Sequence, residues 1–179
     1  GPEDTVLILG GGPTGLCTLS CVLLRGPRRV ILCEADPLRR RFVRAHYPQV
    51  LVTAPEEAEA FVLAHTPHGG ADRVIEAAGG AGSFTLAWRC ARPNGVVTVA
   101  ALYDEDQTLP LPRMYGKNLT FQTGGVDGCD CGEILSLIAE GKLDTTFLIT
   151  HTFPLARAEE AYALFERRDD GVMKVALVP

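Results

Sequence analysis

A glycine-rich turn lies between an apolar run and a helical pattern near the start of the chain. Residues 6–9 form a continuous apolar run with the length of a strand buried on both faces. Gly10-Gly11-Gly12-Pro13-Thr14-Gly15 follows directly, and from Leu16 the apolar residues recur with helical spacing. A strand, a Gly-x-Gly-x-x-Gly turn and a helix in this order predict a dinucleotide-binding unit.

Each glycine of the motif has a physical role in such a unit. Gly10 permits the tight turn, Gly12 lets a pyrophosphate approach the backbone, and Gly15 lets the helix pack on the sheet. The phosphates would then meet free amide groups at the helix N-terminus. A tight turn between a strand and a helix, without a ligand, is the alternative interpretation.

An acidic residue ends the second predicted strand, residues 30–33. Glu34 lies 19 residues after Gly15, where a carboxylate can accept both ribose hydroxyls of an adenosine and repels a 2′-phosphate. NAD is therefore predicted in preference to NADP. Asp36 is expected to cap the helix over residues 37–46. That helix carries four arginines, which form either a solvated face or a 2′-phosphate site: Arg39, Arg40, Arg41 and Arg44.

The remaining pattern alternates strands with helices. Six strands are predicted, at residues 6–9, 30–33, 50–52, 73–76, 96–101 and 118–123. The helices between them include one over residues 83–91, and a proline-bearing loop precedes the sixth strand. This order predicts an α/β fold with a doubly wound parallel sheet, a Rossmann fold with strand order 3-2-1-4-5-6.

The end of the chain has a different pattern. A helix over residues 130–141 is expected to bury an apolar stripe, and a strand, a helix and a strand follow at residues 150–153, 155–168 and 172–178. The stripe consists of Ile134, Leu135, Leu137 and Ile138. We therefore predict a dinucleotide-binding domain over residues 1–144 and a C-terminal appendage over residues 145–179.

Composition excludes several classes of function. Lys and Arg total 17 against 22 Asp and Glu, so the net charge of −5 argues against binding to nucleic acid or to an anionic membrane. No apolar run approaches the ~18 residues needed to span a bilayer, and the first residues lack the pattern of a secretory signal. The six cysteines lack paired CxxC spacing and indicate reduced thiols. A cytoplasmic location is expected.

Motif spacing disfavours other enzyme classes. None of the four tyrosines precedes a lysine by four residues, as a short-chain reductase requires, and no Gly-Lys-Ser/Thr forms a P-loop. Cys129-x-Cys131 lacks third and fourth ligands, and His65-x-x-His68 reads as a helix end and turn, so no metal site is predicted. A Rossmann-like methyltransferase, which also has a glycine-rich turn after its first strand, stays open.

An ordered series of segments resembles the coenzyme domain of the medium-chain dehydrogenase/reductase superfamily, in its zinc-dependent alcohol dehydrogenase branch. The resemblance spans essentially the whole chain. Its segments are Gly10-Gly-Gly-Pro-Thr-Gly-Leu16, Val30-Ile-Leu-Cys-Glu34, Ala71-Asp-Arg-Val-Ile-Glu-Ala-Ala-Gly79, Arg92-Pro-Asn-Gly-Val-Val-Thr-Val99, Lys117-Asn-Leu-Thr120, Leu148-Ile-Thr-His-Thr-Phe-Pro-Leu155, Glu159-Glu-Ala-Tyr162 and Gly171-Val-Met-Lys-Val175.

This resemblance implies a set of cofactor-binding residues and no catalytic residue in this chain. The residues at the pyrophosphate would be Gly10, Gly12, Pro13, Thr14 and Gly15 of the turn, together with Lys174. Those at the adenosine ribose would be Glu34 and Arg39, flanked by Ala77 and Ala78. Those at the nicotinamide carboxamide would be Ala100, Leu102 and Thr123.

The implied function is that of the NAD-binding domain of a zinc-type alcohol or polyol dehydrogenase. The family places its catalytic zinc and most of the substrate pocket in an N-terminal catalytic domain, which these 179 residues do not contain. Zinc is expected only there, and this chain alone is expected to be inactive. The resemblance also implies a homodimer joined through the strand at residues 118–123. A noncatalytic dinucleotide-binding module or sensor is the alternative function.

Overall fold

The computed structural model describes residues 1–124 and 128–179. The chain divides into two compact units, Gly1–Asp127 and Gly128–Pro179. The first unit contains the six-stranded sheet. The second unit begins at Gly128, before the helix over residues 130–141 that the sequence assigns to the dinucleotide-binding domain. The predicted domain boundary after residue 144 stays a prediction.

Six parallel strands form the sheet of the first unit, in the order β3-β2-β1-β4-β5-β6. The predicted doubly wound sheet and its strand order are therefore confirmed. The strands are β1 (Thr5–Leu9), β2 (Arg29–Cys33), β3 (Leu51–Thr53), β4 (Ala71–Glu76), β5 (Ala91–Val99) and β6 (Thr120–Thr123); the helices are α1 (Pro13–Leu24), α2 (Pro37–His46), α3 (Ala58–Ala64), α4 (Ser83–Cys90) and α5 (Leu111–Met114).

The core of the first unit centres on β1 and on its neighbours β2 and β4. Every residue of β1 is buried, as its continuous apolar run predicts, and Leu7, Ile8 and Leu32 have no exposed surface. The chain order along the sheet reverses between β1 and β4, which are hydrogen-bonded neighbours. Ligands of open α/β sheets bind at the carboxyl ends of the strands at such a reversal. A ligand site is therefore expected at the carboxyl ends of β1, β2, β4 and β5.

β5 begins five residues earlier than the sequence predicts. Ala91 pairs with Ala71, whereas Val96 pairs with Arg73, so the register shifts between these two pairs. The extra residues include Asn94, whose φ of 60° lies in the left-handed region. The predicted helix over residues 83–91 consequently ends at Cys90, and the predicted loop before the sixth strand contains the short helix α5.

A lysine side chain closes the end of α4. The Lys117 Nζ donates hydrogen bonds to the backbone carbonyls of Trp88 (3.1 Å), Arg89 (2.7 Å) and Ala91 (2.8 Å). The last carbonyls of a helix have no partner within the helix. Lys117 therefore ties the segment before β6 to the carboxyl end of α4.

An acidic side chain occupies the amino end of β4. The Asp72 carboxylate accepts hydrogen bonds from the Thr5 amide at 2.8 Å and from Arg92 Nε at 2.5 Å. Burial alone would raise the pKa of Asp72, but these two donors outweigh it, and the pKa lies below its ordinary value. Asp72 thus joins β1, β4 and β5 at the end of the sheet opposite to the carboxyl ends of the strands.

The second unit contains a strand, a helix and a strand, as predicted. Its α-helices are α6 (Cys131–Ala139) and α7 (Ala158–Arg167), and two short 3-10 helices lie at Thr146–Leu148 and Leu155–Arg157. The strands β7 (Ile149–Pro154) and β8 (Lys174–Val178) pair in parallel as a separate two-stranded sheet.

The predicted burial of the apolar stripe on α6 is wrong. No residue of α6 is buried, and the exposed fraction of Leu135 reaches 65%. Apolar residues at helical spacing identify a helix and its apolar face, but burial also requires a surface that packs against that face. In the described ranges, no helix is both long and apolar enough to cross a membrane.

Candidate functional site

The turn after β1 can be built only with glycine at two of its positions. Gly10 has a φ of 106°, and its amide donates to the carbonyl of Cys33 at 2.8 Å. A Cβ on Gly15 would lie 1.9 Å from the carbonyl oxygen of Gly10. The turn therefore brings the start of α1 against the end of β1, as the motif predicts.

The N-terminus of α1 is open to a ligand. Gly12 is the N-cap residue and no side-chain cap is present, while Pro13 occupies the first turn. The first hydrogen bond of the helix runs from the Leu16 amide to the Gly12 carbonyl at 2.9 Å. The amides before Leu16, at Thr14 and Gly15, have no carbonyl partner within the helix. Such amides and the helix dipole suit a phosphate group.

Glu34 lies directly against this turn. Its Oε2 accepts a hydrogen bond from the Gly11 amide at 2.5 Å, and its Oε1 accepts one from the Asp36 amide at 2.8 Å. The residue is 9% exposed. A Cβ on Gly11 would lie 3.0 Å from Oε2, so the absence of a side chain at Gly11 leaves room for the carboxylate.

The motif leaves position 11 open, so the sequence assigns Gly11 no role. Its place within a run of three glycines, residues 10–12, was the available signal. The other acid near the turn behaves as predicted, because the Asp36 carboxylate caps α2 by accepting from the Leu38 amide at 2.7 Å.

The arginines of α2 separate into two kinds. Arg40 donates to two backbone carbonyls at the end of β2, and Arg44 donates to the carbonyl of Val52 at 3.2 Å. Arg39 instead places its guanidinium beside the turn, where its Nη1 would lie 3.4 Å from a Cβ on Gly12. Of these three, Arg39 is the arginine placed to meet a ligand at the turn.

The loop after β4 meets the glycine turn, and the loop after β5 meets the loop after β4. A Cβ on Gly10 would lie 3.1 Å from the backbone of Ala77, whose amide donates to the Leu9 carbonyl at 2.9 Å. Gly79 has a φ of 64°, and a Cβ there would lie 2.8 Å from the carbonyl oxygen of Leu102. The predicted positions Ala77, Ala78, Ala100 and Leu102 therefore lie in two adjoining loops at the carboxyl ends of β4 and β5.

A buried acid that the sequence analysis did not single out supports both loops. Glu76 ends β4 and has no exposed surface. Its Oε1 accepts hydrogen bonds from the amides of Ala78 (2.9 Å) and Gly79 (3.0 Å), and its backbone carbonyl accepts from Ala100 (2.8 Å) and Ala101 (3.1 Å). The signal for Glu76 was the same as for Glu34, an acid at the end of an otherwise apolar strand.

A tyrosine lies near this acid. The Tyr103 hydroxyl shares a hydrogen bond of 2.9 Å with the Ser83 hydroxyl. Burial is the main reason that the pKa of Tyr103 is raised to about 12. The hydrogen bond with Ser83 lowers this pKa, and the Glu76 carboxylate raises it. Tyr103 therefore keeps its proton at neutral pH.

The contacts described above do not include two of the predicted residues. Thr123 ends β6 at the edge of the sheet, where it pairs with Val99 of β5. Lys174 begins β8 in the second unit and is exposed. The structure thus groups the residues on β1, β2, β4 and β5, and the roles of Thr123 and Lys174 stay predictions.

The described ranges contain no group of three or more His, Cys, Asp or Glu residues that could hold a metal ion. His65 lies at the end of α3, where its Nδ1 contacts the carbonyl of Phe61 at 2.7 Å. This placement agrees with the predicted helix end and turn.

Comparison with known proteins connects this geometry to a family. The model of a family described as zinc-binding dehydrogenase matches residues 49–170. An alcohol dehydrogenase of Cupriavidus necator is 28% identical over 98% of this chain and 50% of its own length. A probable zinc-binding alcohol dehydrogenase of Mycobacterium tuberculosis is 30% identical over 98% of this chain and 46% of its own length.

A solved structure agrees with these relatives. The alcohol dehydrogenase TADH from Thermus sp. ATN1 is 30% identical, with a TM-score of 0.89 over 99% of this chain and 51% of that protein. The chain therefore spans about half the length of the proteins it matches.

Proposed function

The chain belongs to the zinc-binding dehydrogenase family, and we propose that it is the NAD-binding part of an alcohol or polyol dehydrogenase. The observation that carries the proposal is the open N-terminus of α1 beside the buried Glu34 carboxylate. The helix N-terminus would bind the pyrophosphate, and the carboxylate beside it would accept hydrogen bonds from the ribose hydroxyls, so the two main polar groups of a dinucleotide would bind next to each other.

Each part of the site has a task under this proposal. The amides at the start of α1 bind the pyrophosphate, and Arg39 adds positive charge beside Gly12. Glu34 accepts hydrogen bonds from the ribose hydroxyls. Ala77 and Ala78 flank that ribose. The backbone of Ala100 and Leu102 orients the nicotinamide, which when bound supplies the acceptor for a hydride from the alcohol. Binding and orientation are therefore the contribution of this chain.

The substrate and the catalytic zinc would belong to residues outside this chain. Residues 145–179 would join that catalytic domain, and the 179-residue chain supplied with NAD and zinc would turn over no alcohol. A cytoplasmic location, which the cysteine content favours, is part of the same proposal.

We expect NADH to bind more tightly than NADPH. Glu34→Ala should reduce the difference between the two binding free energies by ~1–3 kcal/mol. The wild-type carboxylate accepts from a ribose diol, whereas it repels a 2′-phosphate. Titrating nicotinamide fluorescence with each cofactor measures both affinities. Asp36→Asn is the matched control, because asparagine keeps the cap of α2 and removes a neighbouring charge. Equal or reversed affinities of the unaltered chain would contradict the role of Glu34 and favour the arginines of α2.

We further propose that two copies join through β6. This strand lies at the edge of the sheet, and the side chains of Thr120 and Gln122 are exposed. An edge strand presents unpaired amides and carbonyls that can pair with a second copy. Light scattering over a range of concentrations should show a dimer, and Thr120→Lys should shift it towards monomer. A monomer at every concentration would refute this interface.

A further inference from the structure

We propose that Glu76 is a positioning residue for the nicotinamide end of the cofactor, because it fixes the loop after β4 against the loop after β5. The inference rests on the proposed function. It assigns to this chain a residue that does not touch the cofactor and yet determines how the nicotinamide is held.

The hydrogen bonds of Glu76 converge from both loops. Its side chain accepts the amides of Ala78 and Gly79, and its backbone carbonyl accepts the amides of Ala100 and Ala101. One fully buried residue therefore accepts four backbone amides within two short loops. Backbone groups held in this way lose little conformational freedom when a ligand binds.

The side chain acts on the second loop through Gly79. The Glu76 carboxylate holds the Gly79 amide at 3.0 Å, and the position of a Cβ on Gly79 would be 2.8 Å from the Leu102 carbonyl oxygen. Gly79 and the Leu102 backbone are thus in close contact. A shift of residues 77–79 would release the backbone of Leu102, whose side chain is 94% exposed and gives the loop little packing of its own.

The Glu76 side chain contributes an acceptor oxygen to the site. Oε1 receives the two amides, whereas Oε2 is buried near the Tyr103 hydroxyl and receives no amide within residues 1–124 and 128–179. A neutral side chain of the same shape could accept the same two amides, so the proposed role depends on the acceptor oxygen and not on the charge.

The test compares two buried acids at opposite ends of β4. Glu76→Ala removes the acceptor at the site, and Asp72→Ala removes the acceptor at the amino end of the strand. Dissociation constants for NADH and for ADP-ribose, which lacks the nicotinamide, are measured on folded protein, and thermal unfolding is measured alongside. We expect Glu76→Ala to weaken NADH about tenfold and ADP-ribose about threefold or less.

The controls distinguish positioning from a general loss of stability. Asp72→Ala should lower the unfolding temperature and leave both dissociation constants within about twofold. Glu76→Gln, which keeps an oxygen for the two amides, should recover most of the loss in NADH affinity. The proposal is overturned if Glu76→Ala weakens NADH no more than Asp72→Ala does, or weakens both ligands by the same factor.

A second variant covers the case in which Glu76→Ala does not fold. Gly79→Ala places a Cβ against the Leu102 carbonyl and leaves Glu76 intact. NADH affinity within about twofold of the unaltered chain would then overturn the proposal. If the unaltered chain binds no NADH, the proposed function itself fails, whereas NADH binding that the Glu76 variants do not change refutes the positioning role alone.

Discussion

Gly15→Ala is expected to remove measurable NADH binding and to lower the free energy of unfolding by about 3 kcal/mol. The added Cβ would lie 1.9 Å from the Gly10 carbonyl oxygen, which is backbone and cannot rotate away as a side chain would. Either α1 moves away from the sheet or the turn opens. Both changes displace the amides that we assign to the pyrophosphate. Urea denaturation and nicotinamide fluorescence measure the two effects.

Gly80→Ala is the matched control for this variant. A Cβ on Gly80 would meet no heavy atom within 4 Å, and the residue has no left-handed φ. Its free energy of unfolding should stay within about 1 kcal/mol of that of the unaltered chain. Gly15→Ala that binds NADH with unchanged affinity would show that the pyrophosphate does not use this turn.

Lys117→Met is expected to destabilise the first unit by about 2 kcal/mol. The substitution keeps an apolar stem of similar length but removes three hydrogen bonds to the carbonyls at the end of α4. Burial lowers the pKa of Lys117, so desolvation of the ammonium offsets part of what these bonds contribute. The expected loss is therefore smaller than the sum of three charged hydrogen bonds. Urea denaturation measures it.

Lys142→Met serves as the comparison, because Lys142 forms an exposed ion pair with Glu140. Such pairs contribute little, and this variant should change stability by less than about 0.5 kcal/mol. If both lysine variants are equally stable, the Lys117 contacts do not stabilise the fold.

The order of the sheet could be predicted from the sequence because each strand carries its own local signal. β1 is a continuous apolar run that ends in a glycine turn, and α2 has a proline and an N-cap aspartate at its start. The start of β5 had no such signal. Residues 92–95 contain proline, asparagine and glycine, which predict a break, and in the structure they form the irregularity between the pairs Ala91–Ala71 and Val96–Arg73.

The site was predictable to the extent that it depends on spacing. Glu34 follows from its distance to the glycine turn, and the structure places its carboxylate on that turn. The importance of Glu76 depends on which backbone amides surround it. Those amides come from the ends of β4 and β5, and their approach is set by strand pairing rather than by local sequence. The exposure of α6 could not be predicted for a related reason, because apolar residues at helical spacing do not show whether a packing surface covers them.

The contact between Gly11 and Glu34 has a consequence for the order in which mutations can accumulate. A Cβ at position 11 would lie 3.0 Å from Oε2 of Glu34, 3.1 Å from its Cγ and 3.2 Å from its Cβ. Alanine at position 11 is therefore unfavourable while glutamate occupies position 34, and it becomes acceptable once a small residue replaces that glutamate. Replacement of Glu34 by a small residue should therefore precede a substitution of Gly11. The two positions should thus be inherited as a pair, although one belongs to the glycine motif and the other to the end of β2.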